Sequence, residues 1–101
     1  MHINVAREFS RRPVGRYATD GTESGEVFRS KFLVPALEKA QTIVIDLDGT
    51  RGYGSSFLEE AFGGLARLGI ATKESLLARF KFICHDEPAL VLEIQDYIRQ
   101  A

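Results

Sequence analysis

Cys84 is the only cysteine in the chain. A lone thiol excludes an intramolecular disulfide and any metal site built from several thiolates, so Cys84 is expected to act as a small buried hydrophobe. Long apolar runs are missing too: stretches such as Ile43 to Ile45 and Leu90 to Leu92 fall far short of the roughly 20 residues a membrane helix needs. The opening residues lack a signal-peptide pattern, because Arg7, Arg11 and Arg12 come early with no long apolar segment after them, and the cytoplasm is the expected address. No charge of one sign dominates. A formal net charge of −1 gives no global field to draw in nucleic acid or an anionic membrane, and neither is expected as a partner. There is no Gly-Lys-Ser/Thr of a P-loop and no complete Gly-x-Gly-x-x-Gly, so no nucleotide cofactor is expected and no other cofactor is implied. Internal repeats and low-complexity linkers are also lacking.

What remains is ordinary globular material. Hydrophobic residues make up 45% of the 101 positions and charged residues 27%, which suits one soluble domain spanning residues 1–101 around one core.

Ile3 and Val5 alternate with Asn4 and Ala6, which predicts a short first strand before the basic, turn-prone run from Arg7 to Gly15. Ser24 can cap a helix over residues 25–39. Glu26 sits in its first turn, Phe28, Phe32, Leu33, Ala36, Leu37 and Ala40 recur at helical spacing, and Pro35 predicts a kink or two abutting segments. Residues 42–47 are rich in β-branched side chains. Both alternating sets are largely apolar, which predicts a central strand covered on both faces. Ser56-Phe57-Leu58-Glu59 reads as a Ser-x-x-Glu capping box opening a second helix, closed by Gly69. A short helix over residues 73–78, a strand over 79–84 and a last helix starting near Asp86 and Pro88 complete the series. The interleaving predicts an α/β domain with a single sheet.

"IVIDLDGT", residues 43–50, resembles the nucleophile motif of the haloacid-dehalogenase phosphotransferases. That resemblance implies a magnesium-dependent phosphatase in which Asp46 attacks phosphorus and Asp48 serves as acid and base. Two residues apart on a strand, the two carboxylates can face one side at its carboxyl end, where open α/β sheets gather ligands. The family's remaining parts, a downstream Ser or Thr, a Lys and a later acidic pair, need a larger fold than the 51 residues after Thr50 supply. The alternative reading is an Asx-type turn in which Asp46 and Asp48 accept hydrogen bonds from loop amides.

"IVIDLDGTRGYGSSFLEEAFGGLARLG" carries a longer likeness: a hydrophobic strand, a short loop, two adjacent serines at a helix start and an apolar helix. This resembles the STAS domain of bacterial anti-sigma-factor antagonists. "SFLEEAFGGL" with "TESGEVFRSKFLVPAL" is similar, more closely still, to the STAS-like domain family of unknown function, over roughly Val5 to Ile98. The resemblance implies a STAS-like α/β fold, with a single mixed sheet of about four strands and helices packed mainly on one face. It also implies a non-enzymatic signalling module rather than a catalyst. Its expected partner is a histidine-kinase-type ATPase, docking on Asp48, Tyr53, Gly54, Ser55, Ser56, Phe57, Glu59, Glu60 and Gly63. Ser56, with Ser55 beside it, matches the phosphoacceptor position, where a phosphate adds about −1.5 to −2 charge at a helix amino terminus. The sequence departs from the antagonists at Gly54, where they carry an Asp, and at Phe57, where they carry a Gly; Phe57 is expected to pack into the core. A structural or oligomerisation subunit, such as a homodimer formed through an exposed helix face, is a third reading.

The plainer readings stand beside these. Ser55 and Ser56 can be a capping pair. Gly63 and Gly64 inside a helix cost about 1 kcal/mol each against Ala, which calls for a close-approaching backbone. Four arginines against one glutamate give residues 7–16 a local charge of +3, read as a solvated loop or an anion grip. Cys84, His85 and Asp86 are adjacent on a strand end and cannot converge on a metal or on a substrate.

Overall fold

The computed structural model describes residues 1–101. Strand β1 (His2–Asn4) leads into a one-turn helix α1 (Val5–Glu8). The Asn4 side chain accepts from the Arg7 amide at 2.9 Å, and Glu8 accepts from the Asn4 amide at 2.6 Å, so both ends of that turn are satisfied locally. The strand therefore stops at Asn4, short of the expected alternation through Val5.

Helix α2 covers residues 25–39 as Gly25–Phe28, a π-helical turn Arg29–Leu33, and Val34–Lys39. Ser24 caps it, accepting from the Val27 amide at 3.3 Å, as expected. The predicted break at Pro35 takes the form of that π turn, closed by the Val34 N–H on the Arg29 carbonyl just before the residue that cannot donate.

Strand β2 (Ile43–Asp46) is central, with β1 on one side and β3 (Phe80–Ile83) on the other, both parallel to it. The sheet thus has three parallel strands, where about four in a mixed sheet were expected. Every other apolar segment is taken up by helices that return the chain to the same end of the sheet, and the basic stretch after α1 has no alternating pattern from which to make a fourth strand. Two successive crossovers moving the same way across the sheet put their helices on one face when both are right-handed. Burial agrees. Ile43 beside Phe80, and Ile45 beside Ile3 and Phe82, line the core face, whereas the opposite face carries His2, half-buried Val44 and Lys81 in one row. The expectation that β2 is covered on both faces is corrected: one face is packed and the other is largely open.

Helix α3 covers residues 55–67 as Ser55–Leu58, a second π turn Glu59–Gly63, and Gly64–Arg67. Its start is also corrected. Gly54 is the cap residue, Ser55 and Ser56 lie inside the first turn, and no side chain closes the amino end, so the Ser56/Glu59 capping box does not form. At the other end Gly69 adopts φ +73°, and the amides of Gly69 and Ile70 reach the carbonyls of Ala66 and Leu65, the Schellman closure expected of it.

Helix α4 (Lys73–Arg79) feeds β3, and α5 (Ala89–Gln100) packs against the π turn of α3 with Leu90, Ile94 and Ile98 buried. Rings of Phe9, Phe28, Phe32 and Phe57 fill the space between α1, α2 and α3, while Phe62 meets Phe80 and Phe82 edge-on over the sheet. None of the helices is long and apolar enough to cross a membrane.

Candidate functional site

The loop from Leu47 to Gly54 leaves the carboxyl end of the central strand and delivers the chain to α3. It is built from short-range polar contacts. Asp46 accepts from the Asp48 amide at 3.1 Å, and the Thr50 hydroxyl accepts from the Gly52 amide at 3.3 Å. Gly49 and Gly52 sit at φ +94° and +124°, values only glycine adopts without strain. Tyr53 folds back under the loop, and its hydroxyl donates to the Leu47 carbonyl at 2.8 Å. Burial pushes that phenol well above its ordinary value of 10.0 and keeps it neutral.

Asp48 ties this loop to the one after β3. Its carboxylate accepts from the His85 amide at 2.7 Å and the Asp86 amide at 2.9 Å, and lies 2.8 Å from His85 Nδ1. Asp86 reciprocates by accepting from the Gly49 amide at 3.0 Å. The Asp86 amide foremost, against a smaller opposing effect of burial and then with help from His85, holds the Asp48 carboxyl below its ordinary value of 3.8. Asp46 and Asp48 thus serve as acceptors for loop amides, as the Asx-turn reading has it. Nowhere do three or more His, Cys, Asp or Glu side chains come together as metal ligands could. Cys84 is half-buried, with its thiol directed at the Glu87 carbonyl at 3.1 Å.

The basic stretch, read from sequence as a solvated loop, is a strap across the amino ends of α2 and α3. Arg11 and Pro13 carbonyls accept from the Arg51 and Gly54 amides at 2.9 and 3.3 Å, and Gly15 and Arg16 carbonyls accept from the Gly25 and Glu26 amides at 2.9 and 3.0 Å. The Arg16 side chain then reaches along α3 to pair with Glu59 and, at 3.3 Å, with Glu60. Burial alone would raise the Glu59 carboxyl, but hydrogen bonds from Arg67 and Arg16 outweigh it and hold it below 4.5.

The docking segment divides by burial. Ser55 and Ser56 are exposed, and Asp48, Tyr53, Gly54 and Glu59 are partly exposed. Phe57, Glu60 and Gly63 are interior, so a partner cannot touch them directly. Phe57 packs on Phe9, Phe28 and Tyr53, as its bulk predicted. Glu60 is claimed by Arg29 at 2.7 Å, and Gly63 lies against Glu59 and the Tyr97 carbonyl of α5. Gly64 differs from expectation: an added Cβ would strike the Arg29 guanidinium rather than a backbone. Sequence reasoning missed the strap contacts and the Arg29–Glu60 pair. The only available signal was the run of arginines over residues 7–16, with Glu8 the one acidic residue among them.

Two clefts flank the loop. One, of about 290 Å³, lies at the ends of β2 and β3 and includes Thr50, Cys84, Asp86 and Glu87. The other, of about 450 Å³, lies between the strap and the loop, and Arg51, Gly52 and Tyr53 form the wall common to both.

A search of the curated proteins returned no match, and a search of the solved structures returned none either. The model of one family does match, over residues 24–89, from the cap of α2 to the first residue of α5. That span takes in the central strand, the loop, the serine pair and the two π turns, while β1 and the strap precede it. The family is described as the STAS-like domain of unknown function (DUF4325), and the chain belongs to it.

Proposed function

We propose that this domain is a non-enzymatic regulatory interaction module that docks onto a histidine-kinase-type ATPase through the Asp48 to Ser56 loop and the first turn of α3. The observation that carries the reading is the placement of Ser55 and Ser56. Both hydroxyls are exposed at a helix amino end that no side chain caps, on a loop pinned at three points by the strap, by Asp86 and by Tyr53. A rigid, polar, protruding helix start suits recognition with little loss of loop entropy. Ser56 is the phosphoacceptor in this reading. Its Oγ takes the γ-phosphoryl group of ATP, ADP leaves, and the hydroxyl proton passes to the partner or to solvent. The phosphate then lies one turn from Glu59 and Glu60, adds negative charge to theirs, and so changes the surface the partner meets. The use of Asp46 and Asp48 as loop acceptors also favours this reading over a phosphatase.

The test is incubation of the chain with histidine-kinase-type ATPases, any encoded in its gene neighbourhood first, and Mg-ATP. Intact mass should rise by one phosphate, Ser56→Ala should abolish the rise, and Ser56→Glu should weaken the complex in a pull-down. An ATPase that neither binds nor modifies the chain removes the proposal.

A further inference from the structure

The strap and the loop border an open cleft whose only charged lining residues are Arg12 and Arg51. Neither guanidinium takes part in the ion pairs of the molecule, which engage Arg16, Arg29, Arg67 and Arg99. The backbone that carries them is fixed: the Arg51 amide donates to the Arg11 carbonyl and the Gly54 amide to the Pro13 carbonyl, so the two arginines are presented from segments already bonded to each other. Two like charges lining one cleft repel when no anion lies between them. The neighbouring cleft, which Arg51 also borders, does place Asp86 and Glu87 nearby. The strap cleft has none.

From this we infer that the cleft between strap and loop is a binding site for a small phosphate monoester, with the phosphate held between the Arg12 and Arg51 guanidiniums and an apolar body resting on Val14 and Tyr53. Guanidinium groups supply paired donors matched to phosphate oxygens. The cleft's volume, about 450 Å³, is that of a small-molecule site. Val14, 59% exposed, lines the cleft beside buried Pro13 and gives it one apolar lip. The cleft shares Arg51 to Gly54 with the loop of the docking proposal, but its phosphate chemistry needs no partner and does not rest on that reading.

The experiment titrates inorganic phosphate and phenyl phosphate into the isolated, isotope-labelled chain and follows backbone amide shifts. Phenyl phosphate should shift Val14, Gly52 and Gly54 saturably. Inorganic phosphate should act at the same residues about tenfold or more weakly, since it lacks the apolar contact. The Arg12→Gln/Arg51→Gln variant, checked for an unchanged spectrum elsewhere, should lose binding of both. Shifts that map away from the cleft, that persist in the double variant, or that never saturate for phenyl phosphate would each overturn the site. If only a phosphorylated peptide binds there, the small-molecule assignment is wrong as well. No ATPase is present, so failure here leaves the docking proposal standing and the reverse holds too.

Discussion

Glu60 sits among three guanidinium groups, those of Arg29 at 2.7 Å, Arg67 at 3.2 Å and Arg16 at 3.3 Å, with 8% of its side chain exposed. Glu59, its neighbour in sequence, binds Arg16 and Arg67 with 23% exposed, and those partners are themselves 32% and 41% exposed. Solvent screening makes the second set worth little, whereas removing Glu60 leaves Arg29 buried with no counter-charge. Glu60→Ala is therefore expected to lower the unfolding free energy by about 3–5 kcal/mol, and Glu59→Ala by about 1 kcal/mol or less. Urea denaturation with an unchanged slope reads the difference as a shift in midpoint. Equal costs for the two would show that burial does not set the value of this network. The same geometry explains Gly64, since any side chain there competes with Arg29 for its place.

Secondary elements were legible in the sequence wherever local pattern and packing agree. The bounds of α2 and the Gly69 closure follow from spacing and caps, and β2, α4 and β3 lie within one residue of the bounds their patterns suggest. The π turns were not legible, because a helical hydrophobic pattern tolerates one extra residue and only the meeting of α2 with α3 shows where it sits. Their positions coincide with the buried ion pair: Arg29 opens one π turn and Glu60 lies in the other. The loop after β2 was half legible. Its glycines and aspartates announced a turn, but the Asp48 clasp and the strap's bonds to this loop need partners 37 or more residues away. Arg79 is the clearest omission. It reads as the first residue of a strand, yet its guanidinium donates to the carbonyls of Leu37 and Ala40 at 2.6 Å and of Gln41 at 3.2 Å, closing the carboxyl end of α2 from across the fold. Arg79→Met keeps the stem and removes these bonds. It should cost about 1.5–3 kcal/mol, the range for hydrogen bonds to a charged group, and speed amide exchange at Lys39 to Gln41 before the rest of α2. Uniform exchange along α2 would assign the helix end to another contact.

At the scale of the whole molecule, the groups with displaced protonation bound its stability on both sides of neutrality. Asp48 and Glu59 are held below their ordinary 3.8 and 4.5 by hydrogen bonds that exist only in the fold. Their contribution is complete above those values and is lost as pH falls through them toward the lower folded values, because the unfolded chain then binds the extra protons. Tyr53 and Cys84 are displaced the other way, chiefly by burial, from 10.0 and 9.0. The unfolded chain releases those protons first as pH rises past 9 to 10, so folding weakens there too. Stability should therefore be flat across neutrality and fall outside it, and each edge should carry a distinct signature. In Asp48→Asn the acid edge should be shallower than in the parent, so the gap between the two proteins narrows as pH is lowered from 7 to 3. In Tyr53→Phe the alkaline edge should be shallower, while the loss of the bond to the Leu47 carbonyl appears as a constant offset at lower pH. Urea midpoints measured for the three proteins from about pH 3 to about pH 11 decide it. An acid edge identical in parent and Asp48→Asn would mean that the clasp joining the two loops does not contribute to folding, and that other carboxylates govern the acid limit.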